Sequence, residues 1–122
     1  MKILHLDKNH HSLINDLKNS GYTNVEAYKM SLDEIKSVIG QFDGIVVRSR
    51  FKIDSDFLKN GGGIKFVARV GSGIENIDIQ YLKRRGIKLI SAPEGNSNAV
   101  GEHALGLILS LLNKLNLAND SV

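Results

Sequence analysis

The 122 residues are enough for one ordinary domain and too few for two. With 42% hydrophobic and 24% charged residues, the composition excludes wholesale disorder; the net charge of +3 is scattered apart from Lys83-Arg84-Arg85, which excludes the basic stripe of a nucleic-acid binder. No cysteine is present, so disulfides, thiolate metal sites and a cysteine nucleophile are excluded, and the longest apolar stretch, near Leu105 to Leu112, is far below the ~20 residues a membrane span needs.

The first expected strand is Lys2 to Leu6; its apolar run reaches Asp7 too soon for a signal-peptide core. The reading is therefore a cytoplasmic protein without membrane or nucleic-acid partners. Leu13, Ile14 and Leu17 then share a helical face, and Ser20-Gly21 stops that helix. Asn24 to Tyr28 reads as a second strand. Ser31-Leu-Asp-Glu34 is a capping box, followed by Leu32, Ile35, Val38 and Ile39 at helical period. Asp43 to Val47 is a continuous apolar run of the kind buried on both faces of a parallel sheet.

A short helix is expected over Asp54 to Leu58, ended by the loop Asn60-Gly-Gly-Gly63. Ile64 to Ala68 reads as the fourth strand. A helix lies within Ile74 to Arg84 and stops at Gly86, and Ile87 to Ile90 is the fifth strand, before a turn at Pro93-Glu-Gly95. Strands alternating with helices predict an α/β fold, a flavodoxin-like doubly wound sheet of five parallel strands over residues 1–95.

Residues 96–122 are expected to form a long final helix, from about Asn96 or Ser97 to Leu115, and a tail. Val100, Ala104, Leu107, Ile108, Leu111 and Leu115 make one apolar face and Leu105, Leu109 and Leu112 a second. A surface helix needs only one such stripe. This double stripe predicts a partner, a nucleotide-binding domain reached by a crossover, a second copy in a homodimer through helix 97–115, or both; a helix lying deep in the sheet's own core would show the same pattern. A stand-alone association module built on that helix is the alternative reading.

Chemistry is expected where the strands end. Arg69-Val-Gly-Ser-Gly-Ile-Glu-Asn76 follows a strand and opens a helix, a place where backbone amides bind anions. A dinucleotide fingerprint needs a third glycine at position 76; asparagine stands there, so a pyrophosphate site is rejected. Arg48-Ser49-Arg50 follows the third strand at the same edge, and two guanidinium groups beside amides suit a carboxylate or phosphate. Glu102 and His103 are helix neighbours pointing about 100° apart, and the other histidines show no metal-site spacing with carboxylates. A phosphoacceptor receiver domain is rejected because Asp7 stands alone, Arg48 replaces the aspartate ending the third strand, and Ala92-Pro93 follows the fifth. An FMN-binding flavodoxin is rejected because Asp7 to His11 is not a hydroxyl-rich phosphate loop.

Four segments occur in one order: Phe42-Asp-Gly-Ile-Val-Val-Arg-Ser49, Arg69-Val-Gly-Ser-Gly-Ile-Glu-Asn-Ile-Asp78, Arg85-Gly-Ile-Lys-Leu-Ile-Ser-Ala-Pro-Glu-Gly-Asn96 and Val100-Gly-Glu-His-Ala-Leu105. Together they resemble the amino-terminal, substrate-binding domain of the D-2-hydroxyacid dehydrogenases, above all the D-3-phosphoglycerate dehydrogenases, over essentially the whole chain. The resemblance implies that a small anionic 2-hydroxy or 2-oxo acid binds in a cleft between two domains. Its carboxylate would rest on the amides of Val70 and Gly71, with Ser72. Arg48, with Ser49 beside it, would meet a substrate phosphate, and Arg69 matches a second basic position. Asn96, Ser97 and Val100 would approach the nicotinamide of NAD. In that family the catalytic arginine, glutamate and histidine and the glycine fingerprint follow the segment that this chain resembles. The resemblance therefore implies a truncated, substrate-binding portion, inactive alone and without catalytic residues or bound NAD of its own.

Overall fold

The computed structural model describes residues 1–8, 11–48, 50–70 and 76–92. The expected helix at 97–115 and the boundary between residues 95 and 96 lie outside them. Five strands form: β1 (Lys2–His5), β2 (Thr23–Glu26), β3 (Gly44–Val47), β4 (Phe66–Val70) and β5 (Lys88–Ala92). All pair in parallel, in the order β2-β1-β3-β4-β5. This is the flavodoxin-like doubly wound order.

Among the described residues three helices join them: α1 (His11–Asn19), α2 (Leu32–Val38) and α3 (Ile79–Arg85), with one 3₁₀ turn at Ile39–Gln41 after α2. Ser31 and Glu34 close the expected capping box: Glu34 N donates to Ser31 Oγ at 3.2 Å, and Ser31 N to Glu34 Oε1 at 3.3 Å. The start of α3 is capped by Asp78, whose Oδ1 accepts from Tyr81 N at 3.1 Å. Gly86 ends it with φ of 70°, a left-handed conformation that glycine adopts without penalty.

The crossover from β3 to β4 departs from expectation. No helix forms over Asp54 to Leu58; the segment is a chain of turns. Asp54 Oδ1 takes the amide of Phe57 at 3.0 Å, and the glycines at 61–63 follow before a second turn can build. Ile53 instead forms a parallel bridge with Ile77.

Register sorts the side chains. Leu4, Ile45 and Val67 lie in one row across β1, β3 and β4. They pack with Ile35, Ile39, Phe57, Leu58 and Leu82 in one buried cluster. Right-handed crossovers place α2, the turn segment and α3 on that face and α1 on the other. Val46, Ala68 and Ile90 form a buried row on the opposite face. Both faces of β3 are therefore covered, as its unbroken apolar run demands.

Candidate functional site

Parallel register decides what meets at the carboxyl edge. Val47 pairs with Arg69, so Arg48 and Val70, the next residues on β3 and β4, emerge side by side. His5 pairs with Val46, so Asp7 and Arg48, each two residues further on, also meet. Asp7 Oδ2 accepts from Arg48 N at 2.5 Å and from Arg50 N at 3.3 Å. One carboxylate thus holds the turn that leaves β3, its charge matched by two amide donors.

Arg50 holds the neighbouring gap. Its Nη1 donates to Leu6 O at 3.0 Å and Ala27 O at 2.7 Å, and its Nη2 donates to Met30 O. The guanidinium carbon lies 4.5 Å from the centroid of the Phe51 ring. Arg50 therefore ties the ends of β1 and β2 to the loop after β3. In this topology a nucleotide can bind between β1 and β3, where the chain reverses its direction of travel across the sheet. Here Asp7 occupies that crevice, and its carboxylate would repel a phosphate reaching for the amides of 48 and 50.

The anion-friendly edge is one strand over, between β3 and β4. Arg69 is buried, 7% exposed, on the face that carries α3. Its Nε donates to Asn76 Oδ1 at 3.0 Å. Asn76 Nδ2 donates in turn to the carbonyls of Arg48, at 3.2 Å, and Phe51, at 2.9 Å. Arg48, Arg69 and the end of β4 are thus held together as the sequence predicts. Of the other expected site residues, Ser49, Gly71, Ser72, Asn96, Ser97 and Val100 lie outside the described residues. Among the described residues no cluster of three metal-ligating side chains occurs, and no helix is long and apolar enough to cross a membrane.

Sequence reading passed over Asp7, Arg50 and Asn76 as site residues. Asp7 lies two residues beyond His5 as Arg48 lies two beyond Val46, a match that only the pairing of His5 with Val46 discloses. Asn76 registered only as a missing glycine. Its partners lie 25 and 28 residues back, which no local pattern reveals.

The sequence model of the D-isomer specific 2-hydroxyacid dehydrogenase catalytic domain matches residues 3–117. The chain belongs to this family. Two curated relatives illustrate the likeness. The D-3-phosphoglycerate dehydrogenase of Archaeoglobus fulgidus is 32% identical over 122 residues, 100% of this chain and 23% of its own length. The hydroxypyruvate reductase of Thermotoga maritima is 36% identical over 94 residues, 77% of this chain and 31% of its own. The chain thus spans less than a third of either relative.

Solved structures agree. A protein from Pyrococcus horikoshii OT3 superposes with a TM-score of 0.70 at 32% identity, covering 98% of this chain and 35% of that one. The NAD+-bound 3-phosphoglycerate dehydrogenase of Entamoeba histolytica superposes with a TM-score of 0.63 at 29% identity, covering 76% and 33%.

Proposed function

We propose that this chain is the substrate-binding part of an NAD-dependent D-2-hydroxyacid oxidoreductase, specifically a D-3-phosphoglycerate dehydrogenase serving the first step of serine biosynthesis. The observation that carries the reading is the junction of Arg48, Arg69 and the end of β4 at one sheet edge, held by Asn76. A guanidinium from each of these two arginines would suit a substrate with a carboxylate at one end and a phosphate at the other. Arg48 is assigned to the phosphate and the amides after β4 to the carboxylate, with Ser49, Gly71 and Ser72 completing the contact.

NAD accepts the hydride in this chemistry, but the described residues do not suit it. The crevice between β1 and β3 is filled by Asp7, and Asn76 replaces the third glycine of a pyrophosphate turn. The reading places NAD, with the acid–base histidine and the polarising arginine, on other segments of the enzyme, and brings Asn96, Ser97 and Val100 near the nicotinamide. A cytoplasmic location belongs to the same reading, supported by a cysteine-free sequence suited to a reducing compartment.

Amide NMR titration of this chain tests the assignment. Adding 3-phosphoglycerate should shift the signals of Arg48, Arg69 and Val70, with D-glycerate and potassium chloride of matched ionic strength as controls. Arg48→Ala should weaken 3-phosphoglycerate by roughly tenfold, the worth of one charge-assisted contact, and leave D-glycerate unchanged. Shifts no larger than those from potassium chloride would end the proposal.

A further inference from the structure

Asn76 makes more bonds at the site than any role given to it so far explains. Its Oδ1 accepts from the Nε of buried Arg69 at 3.0 Å. Its Nδ2 donates to Arg48 O at 3.2 Å and Phe51 O at 2.9 Å. The amide has one workable orientation: turned over, its NH2 would face an N–H donor and its oxygen would face two carbonyls. The main chain anchors the residue as well, since Asn76 O accepts from Ile53 N at 2.7 Å and Asp78 N donates to Ile53 O at 2.9 Å.

We infer that Asn76 is a positioning residue, a neutral bridge that sets Arg69 against the Arg48 peptide and so tunes the site for a phosphorylated over an unphosphorylated 2-hydroxy acid. The inference rests on the function proposed above. A bond at Nε fixes the plane of the Arg69 guanidinium and hence the direction of its two Nη groups. The paired bonds to Arg48 O and Phe51 O fix the peptide from which the Arg48 side chain springs. Asp7 holds the N–H of that same residue, so Arg48 is gripped at both its amide and its carbonyl.

An amide is the group that can do this. Aspartate would accept from Arg69, but it would cancel that charge and set an oxygen against two carbonyls. Alanine would take this acceptor from the Nε of a buried guanidinium and this donor from two carbonyls.

The test uses Asn76→Ala and Asn76→Asp in this chain, at a temperature where circular dichroism shows each folded. Two readouts are followed: the NMR signal of the Arg69 Nε–H, and the affinities for 3-phosphoglycerate and D-glycerate. Asn76→Ala should make the Nε–H exchange faster with solvent and cut the preference for 3-phosphoglycerate roughly tenfold. Asn76→Asp should keep the Nε–H protected yet lose the same preference, and it serves alone if the alanine variant fails to fold. A merely structural residue would lower the melting temperature and leave the ratio of the two affinities where it was, which would overturn the inference while sparing the proposed function. If the unaltered chain binds neither acid, the proposed function falls, and the Nε–H signal alone decides whether Asn76 holds Arg69: an unchanged signal in the alanine variant refutes it.

Discussion

His5 is a buried titratable group, only 1% exposed. Its Nε2 lies 2.8 Å from Asn24 Oδ1, and Asn24 Nδ2 donates to Tyr22 O at 3.2 Å. That second bond turns the Asn24 oxygen toward the ring, so Nε2 is the protonated nitrogen and Nδ1 carries a lone pair. Nδ1 has no partner among the described residues. A second proton would create a buried charge with an unmatched donor. Burial accordingly pushes the His5 pKa down, against weaker upward pulls from Asn24 and the Glu26 carboxylate. The unfolded chain, with a histidine pKa of ~6.5, then binds the proton more readily than the native state. Stability from this residue is complete above ~6.5 and is lost as pH falls from there toward the lower native value, by at most about 1.4 kcal/mol per pH unit. Urea unfolding at a series of pH values should show the loss. His5→Gln, which keeps a donor for Asn24, should remove that part of the slope below ~6.5; an identical slope in the variant would exclude His5 as its source.

At the scale of elements, local chemistry was legible where neighbours in sequence are neighbours in space. The capping box at Ser31, the stop at Gly86 and the continuous apolar run of β3 all formed as read. The turn segment after Ile53 was misread because its apolar residues, Phe57 and Leu58, face the core from turns as readily as from a helix. Gly44 shows a constraint no pattern announces. It pairs with Phe66 on β4, and a Cβ built on Gly44 would stand 2.1 Å from Phe66 Cε1. Phe66 is fully buried, so its ring cannot swing into solvent. Gly44→Ala should therefore destabilise the fold by about 1–3 kcal/mol through overpacking, despite the entropy that alanine normally gains. Gly62, with nothing within 4 Å of its added Cβ and no left-handed φ, is the control. Gly62→Ala should lie between neutral and about 1 kcal/mol stabilising in the same denaturant titration. Equal effects at both sites would mean that the Phe66 contact decides nothing.

For the molecule as a whole, the strand order and the meeting of Arg48 with the end of β4 followed from alternation and connection rules, whereas the bonds that fix that candidate edge did not. Apart from Arg69 Nε to Asn76 Oδ1, which spans seven residues, those bonds join residues 20 to 44 positions apart, and they depend on register, which one strand's sequence does not carry. Arg50 is the clearest case. As a sequence feature it duplicates Arg48. In the fold it is a three-point clamp on the carbonyls of Leu6, Ala27 and Met30, which closes the β1–β2 end of the sheet beneath the stacked Phe51 ring. Lysine cannot reproduce this, because one ammonium on a flexible stem does not offer the planar fork that meets three separated carbonyls. Arg50→Lys should cost about 2 kcal/mol, the loss of charge-assisted bonds to carbonyls that then lack their donor. The loss should be local in character. Amides whose bonds depend on the loop after β2, Ala27 N to His5 O and Met30 N to Ala27 O, should exchange faster with solvent. Gly86 N, bonded at the far end of α3, should slow or quicken only with global stability. Uniform acceleration across all three amides would show that Arg50 contributes general stability and does not clamp this end of the sheet.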